Sequence, residues 1–373
     1  LTPRDKRVRD PLRILLLADA ASPIVGKWVS HCLNMHYETH IMSLNTDIQN
    51  VNGAVIHPLR ASKASSAKRD YLRALPRVWR EVRRIRPDIL HVHYGGGYGL
   101  LGSLVPARRR VLSLWGSDVL VAPRKSAFRS LLLRWMISRS DAVCVNSLHL
   151  AEAASLYTSR SVNVTYFGVS PEFFCDHGGE RPVGSPLRIV MVKNLDENSG
   201  ITTLLSAIQA AAKAGIDLHL KAVGRDSNGW ARSMAASLGV ANSVEFVEFL
   251  RESELSRVFS QSDVYVQPTR YTEGFGLAVA EAQAAGLPAV VSSVGGLIEA
   301  VDLVGGSVVP PGDPVSLSQA LISYAADMSL LVGARESARR HAKKYAWEVV
   351  APAMDEVYRR LHEGCGSRGG QRR

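Results

Sequence analysis

DVYVQPTRYTEGFGLAVAEAQAAGLPAVVSS, residues 263–293, reads as a strand, a glycine-bearing loop, a helix and a second strand. The apolar run that starts at Val264 ends at Pro268, which cannot extend a strand ladder. Glu273-Gly-Phe-Gly-Leu277 then leads into an alanine-rich helix reaching about Gly286, and LPAVVSS (287–293) reads as the next strand. Two short apolar strands joined through a helix imply a parallel pair, because parallel strands need a crossover. The glycines let backbone approach a ligand closely, and a helix start presents unpaired N–H groups to an anion.

The same alternation runs outward on both sides. Upstream, strand patterns occur at 12–18, 37–44, 54–59, 88–93, 110–116, 141–147 and 162–167, with helical patterns at 25–36, 69–86 and 126–139 between them. Downstream of residue 186 they recur at 187–192, 217–224, 243–249, 263–268, 287–293 and 306–310. Continuous apolar runs alternating with helices predict parallel sheets covered on both faces. Between the two series, PEFFCDHGGERPVGSP (171–186) has glycine and proline clusters and no period, and the linker is placed there. The expected division is 1–178 for a first domain, 179–345 for a second, and 346–373 for a C-terminal helix with a disordered tail, GCGSRGGQRR.

A chain of 373 residues suits two cores better than one, and 46% hydrophobic with 21% charged residues describes a globular protein. No apolar run is long enough to span a bilayer. The basic start followed by Leu12–Ala18 resembles a signal peptide superficially, but the apolar part has the length of one strand and is read as the first strand. Cys32, Cys144, Cys175 and Cys365 lie far apart without a CxxC pair, so reduced cytoplasmic thiols are expected rather than a zinc site or disulfides.

The net charge of +11 is uneven: residues 1–178 hold 25 Lys and Arg against 13 Asp and Glu, whereas residues 179–373 hold 20 against 21. RDYLRALPRVWREVRRIR (69–86) sets an apolar stripe of Leu72, Leu75, Trp79, Val82 and Ile85 beside Arg69, Arg73, Arg77, Arg80, Arg83 and Arg84, and RKSAFRSLLLRWMISR (124–139) is similar. Such helices either turn a stripe to the core and a basic face to water, or dock on anionic lipid heads. Nucleic acid is disfavoured because no recognition motif accompanies the charge.

Glu273 and Glu281 are eight residues apart, a little over two helical turns, which would put them on roughly one face. Two carboxylates lining one cleft can accept hydrogen bonds from sugar or ribose hydroxyls. Glu281 can also be read as a surface or capping residue, but its neighbours Ala280, Ala282, Ala284 and Ala285 imply tight packing, where a carboxylate needs a partner.

Glu-x7-Glu with EGFGL between closely resembles the signature of the family 4 retaining glycosyltransferases, which have the GT-B fold of two Rossmann-like domains whose parallel sheets face a central cleft. AAGLPAVVSSVGGLIEAV and GGSVVPPGDPVSLSQAL resemble the stretches that follow that signature, FGVSPEFF (167–174) a segment ending the N-terminal domain, and WGSD (115–118) its "hGsD" loop. The resemblance implies that Glu281 bonds the donor ribose and that Glu273 holds the donor sugar's hydroxyls. It also implies that backbone N–H groups of Gly274, Phe275, Gly276 and Leu277 face sugar and diphosphate. The family's "GRL…KG" segment is altered here to Val192-Lys-Asn-Leu-Asp-Glu-Asn-Ser-Gly200. Asn194 takes the Arg position and Ser199 the Lys position, so Lys193 is expected to supply the charge, with Arg270, Lys221 and Arg225 as substitutes. Some group must take the leaving diphosphate's charge. Asn194, Gly224 and Arg270 are placed on the donor side. Trp115 stands where many relatives have histidine.

HVHYGGGYGLLG (91–102) follows a strand and precedes a helix, so its glycines could let backbone approach a phosphate or the acceptor. His93 reads either as a group touching acceptor or donor or as a polar residue ending a buried strand. His93, Gly95, Trp115, Gly116 and Asp118 form the expected acceptor side. ASPIVGKW (21–28) lacks the first glycine and the Ser/Thr of a nucleotide-binding phosphate loop, and that reading is rejected. No Asp-x-Asp occurs, so a metal-clamped donor site is not supported and no metal or cofactor is expected.

Taken with the resemblance, the sequence implies a metal-independent, retaining hexosyl transfer from a nucleotide-diphosphate sugar to a sugar, lipid-linked or polysaccharide acceptor. The enzyme would be cytoplasmic and peripheral on the inner face of the plasma membrane, with the donor on the second domain, the acceptor on the first, and closure on binding. A 2-epimerase or phosphorylase on the same fold, or a non-catalytic binding subunit, are the alternatives.

Overall fold

The computed structural model describes residues 11–45, 53–59, 68–174 and 185–363. Residues 1–10, most of the expected linker (175–184 with Cys175), the tail 364–373 with Cys365, and the side chain of Arg69 lie outside the described residues. The chain divides into two units. One holds residues up to Asn146, Leu150–Thr165 and the segment from Ala351 onward, and the other holds Ser147–His149 and Tyr166–Val350.

Among the described residues the first unit is built on seven strands: β1 Arg13–Leu17, β2 Glu38–Ser43, β3 Val55–Pro58, β4 Ile89–His93, β5 Arg110–Leu114, β6 Ala142–Val145 and β7 Asn163–Val164. They pair in parallel in the order β3-β2-β1-β4-β5-β6-β7. Alternate residues of four strands (Leu15 and Leu17, Leu90 and Val92, Leu112 and Leu114, Val143 and Val145) enter one core cluster with Val78 and Val82 of the helix Lys68–Ile85 and Leu133 and Met136 of the helix Ala127–Ser138. Burial of aliphatic side chains at every second strand position is what fixes the register, since a one-residue slip would turn each of them over.

The helix Pro352–Glu363 also belongs to this unit, rather than to a separate C-terminal segment. Tyr358 is fully buried and bonds the His91 ring at 2.6 Å, Asp355 meets His31 at 2.8 Å, and Arg360 donates to Asn163 at 2.8 Å. The buried Tyr358–His91 pair makes that docking specific.

The second unit contains β8 Leu187–Val192, β9 Leu218–Val223, β10 Val244–Val247, β11 Val264–Gln267, β12 Ala289–Ser292 and β13 Ser307–Val309, all parallel, in the order β10-β9-β8-β11-β12-β13. FGVSPEFF (167–174), expected at the end of the first domain, lies in this unit. Val169 and Phe173 are fully buried in its core, and Ser170 donates to Glu252 at 2.9 Å. A change of unit at residue 166 instead of 179 follows from that burial, because apolar anchors and not the glycine-rich stretch decide where a segment packs.

In both sheets the winding reverses once, between β1 and β4 and between β8 and β11. Ligands of doubly wound sheets bind beyond the carboxyl ends of the strands at such a switch point. In the second sheet those ends are Val192 and Gln267, directly before Lys193 and Pro268.

The basic helix Lys68–Ile85 differs from its sequence reading. Ala74, Val78, Val82 and Ile85 make the buried stripe, while Leu72 and Trp79 face solvent at 60% and 42% exposure among Arg73, Arg77, Arg80 and Arg83. The Arg83 guanidinium lies 3.9 Å from the Trp79 ring centroid. Ala74, Val78 and Val82 recur every four residues and Ile85 follows on the same side, which lines them along one helix face, while Leu72 and Trp79, seven residues apart, lie on another. Among the described residues no single helix is long and apolar enough to cross a membrane.

Candidate functional site

The loop after β11 is fixed from beneath. Gly276 precedes the helix Leu277–Ala284 in the left-handed region, at φ +92°. Gly295 and Gly296 lie so close below that a side chain on either would overlap the carbonyl oxygens of Glu273 and Gly274, and Gly296 N–H donates to Glu273 O at 3.1 Å. Phe275 is buried in an aromatic cluster with Tyr166 and Tyr345, 5.3 and 5.0 Å away between centroids. Its side chain anchors the loop and only its backbone faces outward chemistry. Gly274 N–H bonds its neighbour's Glu273 Oε1 at 3.2 Å, and its carbonyl accepts from Ser147 Oγ at 2.7 Å. Among the described residues the N–H groups of Phe275, Gly276, Leu277 and Ala278 have no acceptor. This is the anion-accepting end of a helix.

Glu273 stands on the loop, four residues before the helix begins, so the two carboxylates do not share a helix face as the spacing suggested. Both nonetheless act on one side chain: burial first, then the charges of Glu273 and Glu281, push the phenol of Tyr265 on β11 well above the ordinary range. Glu281 is buried, at 8% exposure, in the alanine-rich helix.

Lys193 Nζ donates to Glu273 Oε2, and Gln267 Nε2 donates to the same oxygen at 2.8 Å. The Gln267 Oε1 accepts from Tyr265 OH at 2.8 Å. Gln267 and Tyr265 escaped the sequence reading. The available signal was a glutamine in an otherwise apolar strand, two residues after a tyrosine and therefore on its face.

The loop after β8 is laced to the loop after β11 by Asn198, whose Oδ1 accepts from Tyr271 N–H at 3.0 Å and Thr272 N–H at 3.2 Å. Gly200, at φ +76°, lets the two loops close, since a side chain there would overlap the Pro268 carbonyl. Gly224, at φ +149°, is required in the same way beside the Lys193 carbonyl. Asn194 is exposed. The fully buried Ser199 spends its hydroxyl inside the turn, donating to Asp196 O at 2.6 Å and accepting from Ile201 N–H at 3.2 Å. Arg270 is 3.7 Å from Glu197 and 5.1 Å from the Tyr271 ring centroid. Lys221 points elsewhere: it pairs with Glu245 across the β9–β10 ladder at 2.8 Å. Lys193 is thus a cation bonded directly to a signature carboxylate, Glu273.

In the first unit, Asp118 gathers two loops. Its carboxylate accepts from Gly95 N–H at 2.7 Å, Gly116 N–H at 2.8 Å and Trp115 N–H at 3.1 Å. Burial raises its carboxyl above the usual range, and those N–H bonds oppose the rise. The YGGG glycines serve close packing: a side chain at Gly97 would meet the Tyr71 ring at 2.5 Å, and one at Gly95 would meet Leu114 at 2.8 Å. Gly116 sits at φ +150°. His93 ends β4 fully buried, with its ring 4.1 Å from that of His91 and 5.5 Å from that of Trp115. Neither of its nitrogens has a partner among the described residues, and burial pushes its pKa down to about 3.

Two family models match the chain: "Glycosyl transferases group 1" over residues 177–345 and "Glycosyl transferase 4-like" over residues 13–147. A D-inositol 3-phosphate glycosyltransferase of Salinispora arenicola is 38% identical over 126 residues, 34% of this chain and 28% of the relative. A D-inositol 3-phosphate glycosyltransferase of Corynebacterium urealyticum is 27% identical over 259 residues, 64% of this chain and 61% of the relative. The chain therefore spans less than two thirds of the length of these relatives. Among solved structures, a sucrose-phosphate synthase of Thermosynechococcus elongatus superposes with a TM-score of 0.81 at 19% identity, covering 95% of this chain and 100% of that one. Anabaena HepE in complex with UDP-glucose does so with a TM-score of 0.74 at 16% identity, covering 92% and 99%. At that identity the likeness establishes the fold, GT-B, with two Rossmann-like domains.

Proposed function

The chain belongs to the family 4 glycosyltransferases, both of its halves matching models of such enzymes, and we propose that it moves a sugar from a nucleotide-diphosphate donor to an acceptor hydroxyl with retention at the anomeric carbon. The observation that carries the reading is the meeting, at the switch point of the second sheet, of unpaired helix N–H groups, Lys193 and Glu273, with Glu281 buried in the helix that those N–H groups open. Glu281 bonds the donor ribose, and Glu273 holds hydroxyls of the transferred sugar. Lys193 and the N–H groups of Phe275 to Ala278 take the diphosphate charge, so no metal is needed. The acceptor oxygen bonds the anomeric carbon as the bond to the β-phosphate oxygen breaks. The nucleoside diphosphate leaves with the electron pair, and its phosphate oxygen takes the acceptor's proton. Stabilising the departing charge by fixed dipoles and one cation is the protein's main contribution.

Hydroxyl-bearing acceptors belong to the first unit, near His93, Trp115 and the loops that Asp118 holds. A lipid-linked or polysaccharide intermediate fits a protein working peripherally at the cytoplasmic face of an anionic membrane. The exposed Leu72, Trp79, Phe128 and Leu131 among basic side chains support that location. The test is release of nucleoside diphosphate from UDP-, GDP- and ADP-sugars with and without a chelator, followed by identification of the glycosylated product and its anomeric configuration. Donor consumption that is abolished by chelator, or product of inverted configuration, would remove the metal-independent or the retaining part of the reading. Nucleotide binding without turnover across a panel of acceptors would favour a binding subunit instead.

A further inference from the structure

The buried amide of Gln267 has no role in the reaction as described, yet it is wired to the carboxylate that holds the sugar. Gln267 is 3% exposed at the carboxyl end of β11, on the same face as Tyr265. Val264 and Val266, on the opposite face, pack into an aliphatic cluster, so an apolar residue would be the ordinary occupant of a strand this deep. A buried amide left unpaired costs free energy, and here both of its ends are satisfied. Tyr265 OH donates to Oε1 at 2.8 Å and Nε2 donates to Glu273 Oε2 at 2.8 Å. The orientation of the amide is fixed by chemistry: turned over, its oxygen would face the carboxylate.

Lys193 donates to the same Glu273 oxygen. Oε2 therefore has two donors, while Oε1 has only the N–H of Gly274, at 3.2 Å, among the described residues. One acceptor site on Oε1 is left for a hydroxyl. Without the amide, only the long Gly274 N–H bond opposes rotation of the carboxylate into a two-oxygen pair with Lys193, which would take both groups away from the donor.

We propose that Gln267, oriented by Tyr265, is a positioning residue that holds the Glu273 carboxylate with Oε2 on Lys193 and Oε1 turned to a hydroxyl of the transferred sugar. This rests on the glycosyltransferase reading of the same site. It makes Gln267 and Tyr265 part of how this chain works with Lys193 as its cation.

The experiment compares wild type, Q267L, Q267E and Y265F in nucleoside diphosphate release from UDP-glucose, or from whichever of GDP-mannose and ADP-glucose the wild type consumes, across pH, with melting temperature and circular dichroism as folding controls. Misplacing the carboxylate by a fraction of an ångström should lower kcat of Q267L about tenfold or more, with donor KM changed by less than about threefold. Y265F should show a smaller fall of the same pattern. In Q267E two carboxylates compete for one position, so activity should return as pH falls and they share a proton, moving the pH optimum to the acid side by about one unit or more. A folded Q267L with kcat within about twofold of wild type overturns the role. So does a folded Q267E whose activity shows no acid recovery. Because Y265F and Q267E keep bulky side chains, the question stays decidable should Q267L fail to fold. Failure of the wild type to consume any of the three donors overturns the functional reading itself, and is seen before any variant is compared.

Discussion

Lys193 and Glu273, eighty residues apart in the chain, form an ion pair across the carboxyl ends of β8 and β11, the two central strands of the second sheet. The pair joins the group expected to face the leaving diphosphate to the group expected to face the sugar. Both charges are largely withdrawn from water, at 20% and 19% side-chain exposure, and each is the other's counter-charge until a donor arrives.

Removing either partner should therefore act on turnover. K193A loses stabilisation of the departing diphosphate and leaves Glu273 with two neutral donors, Gln267 Nε2 and Gly274 N–H. E273A loses the sugar contact and leaves Lys193 free to bind diphosphate. The expected outcome is a fall in kcat of about a hundredfold for each, with nucleoside diphosphate binding weakened in K193A and kept or tightened in E273A. Steady-state kinetics with calorimetric titration of UDP check this. Tight UDP binding in K193A would move the charge to Arg270 or to the helix N–H groups.

The close approach at Gly224 gives a prediction about stability. A methyl group there would have to overlap the Lys193 carbonyl at φ +149°, whereas Gly239, at φ +70°, has no atom within 4 Å of an added Cβ. G239A should lose only the left-handed backbone cost of about 1–2 kcal/mol, while G224A should lose more than that and disturb Lys193. Chemical unfolding of the two variants side by side decides it, and equal losses would mean that the loop after β8 yields at no cost.

How much of this was legible in the sequence can be judged at particular residues. Each of the thirteen strands among the described residues falls within a stretch that reads as a strand, and the central ones are apolar runs because parallel strands buried on both faces carry that mark. The loop Glu273–Leu277 was legible because glycine at φ +92° and helix N–H groups have few other uses. The exchange of packing partners was not. Nothing local in FGVSPEFF tells that Phe173 packs against Phe259, nor in the final helix that Tyr358 bonds His91. Helix phase differs at Leu72 and Trp79, since the row Ala74, Val78 and Val82 with Ile85 offers the sheet a second apolar face, and that face is the buried one. Gln267 was passed over because a single polar residue in a strand has no period to betray it.

The two buried histidines at the end of β4 predict a pH dependence. Burial lowers the His93 pKa to about 3 and that of His91 well below its usual value, whereas an unfolded histidine titrates near about 6.5. As pH falls below the unfolded value the unfolded chain binds protons first. The stabilising contribution is therefore complete above about pH 6.5 and is lost progressively as pH falls toward the folded values, by roughly 1.4 kcal/mol per pH unit for each histidine. Urea unfolding between about pH 7 and pH 5 should show stability falling with pH, and H93N should make that slope shallower. An unchanged slope in H93N would place the dependence on other groups.

The basic helix gives a prediction about location. Replacing Arg77, Arg80, Arg83 and Arg84 by Gln should cost little stability, because these side chains are exposed. It should weaken binding to anionic vesicles by roughly 1 kcal/mol per charge near the surface, less as salt rises. Replacing Trp79 by Ser should weaken it further without altering the salt slope. Co-sedimentation with vesicles of graded anionic content reads both effects. Wild-type protein that stays in solution throughout, or binds neutral vesicles equally, would leave the helix as a solvated face.

The most direct test of the donor site is calorimetric titration of wild type and E281A with the nucleoside diphosphate sugar that the wild type consumes, alongside the rate of diphosphate release. Glu281 is buried in the helix that starts at the unpaired N–H groups, and its assigned contact is the ribose. The expected result is turnover by the wild type, and in a folded E281A a loss of donor affinity on the order of 1–3 kcal/mol, the worth of a buried hydrogen bond to a charged group. Unchanged donor affinity in a folded E281A, or a wild type that releases no diphosphate from UDP-, GDP- or ADP-sugars, would contradict it.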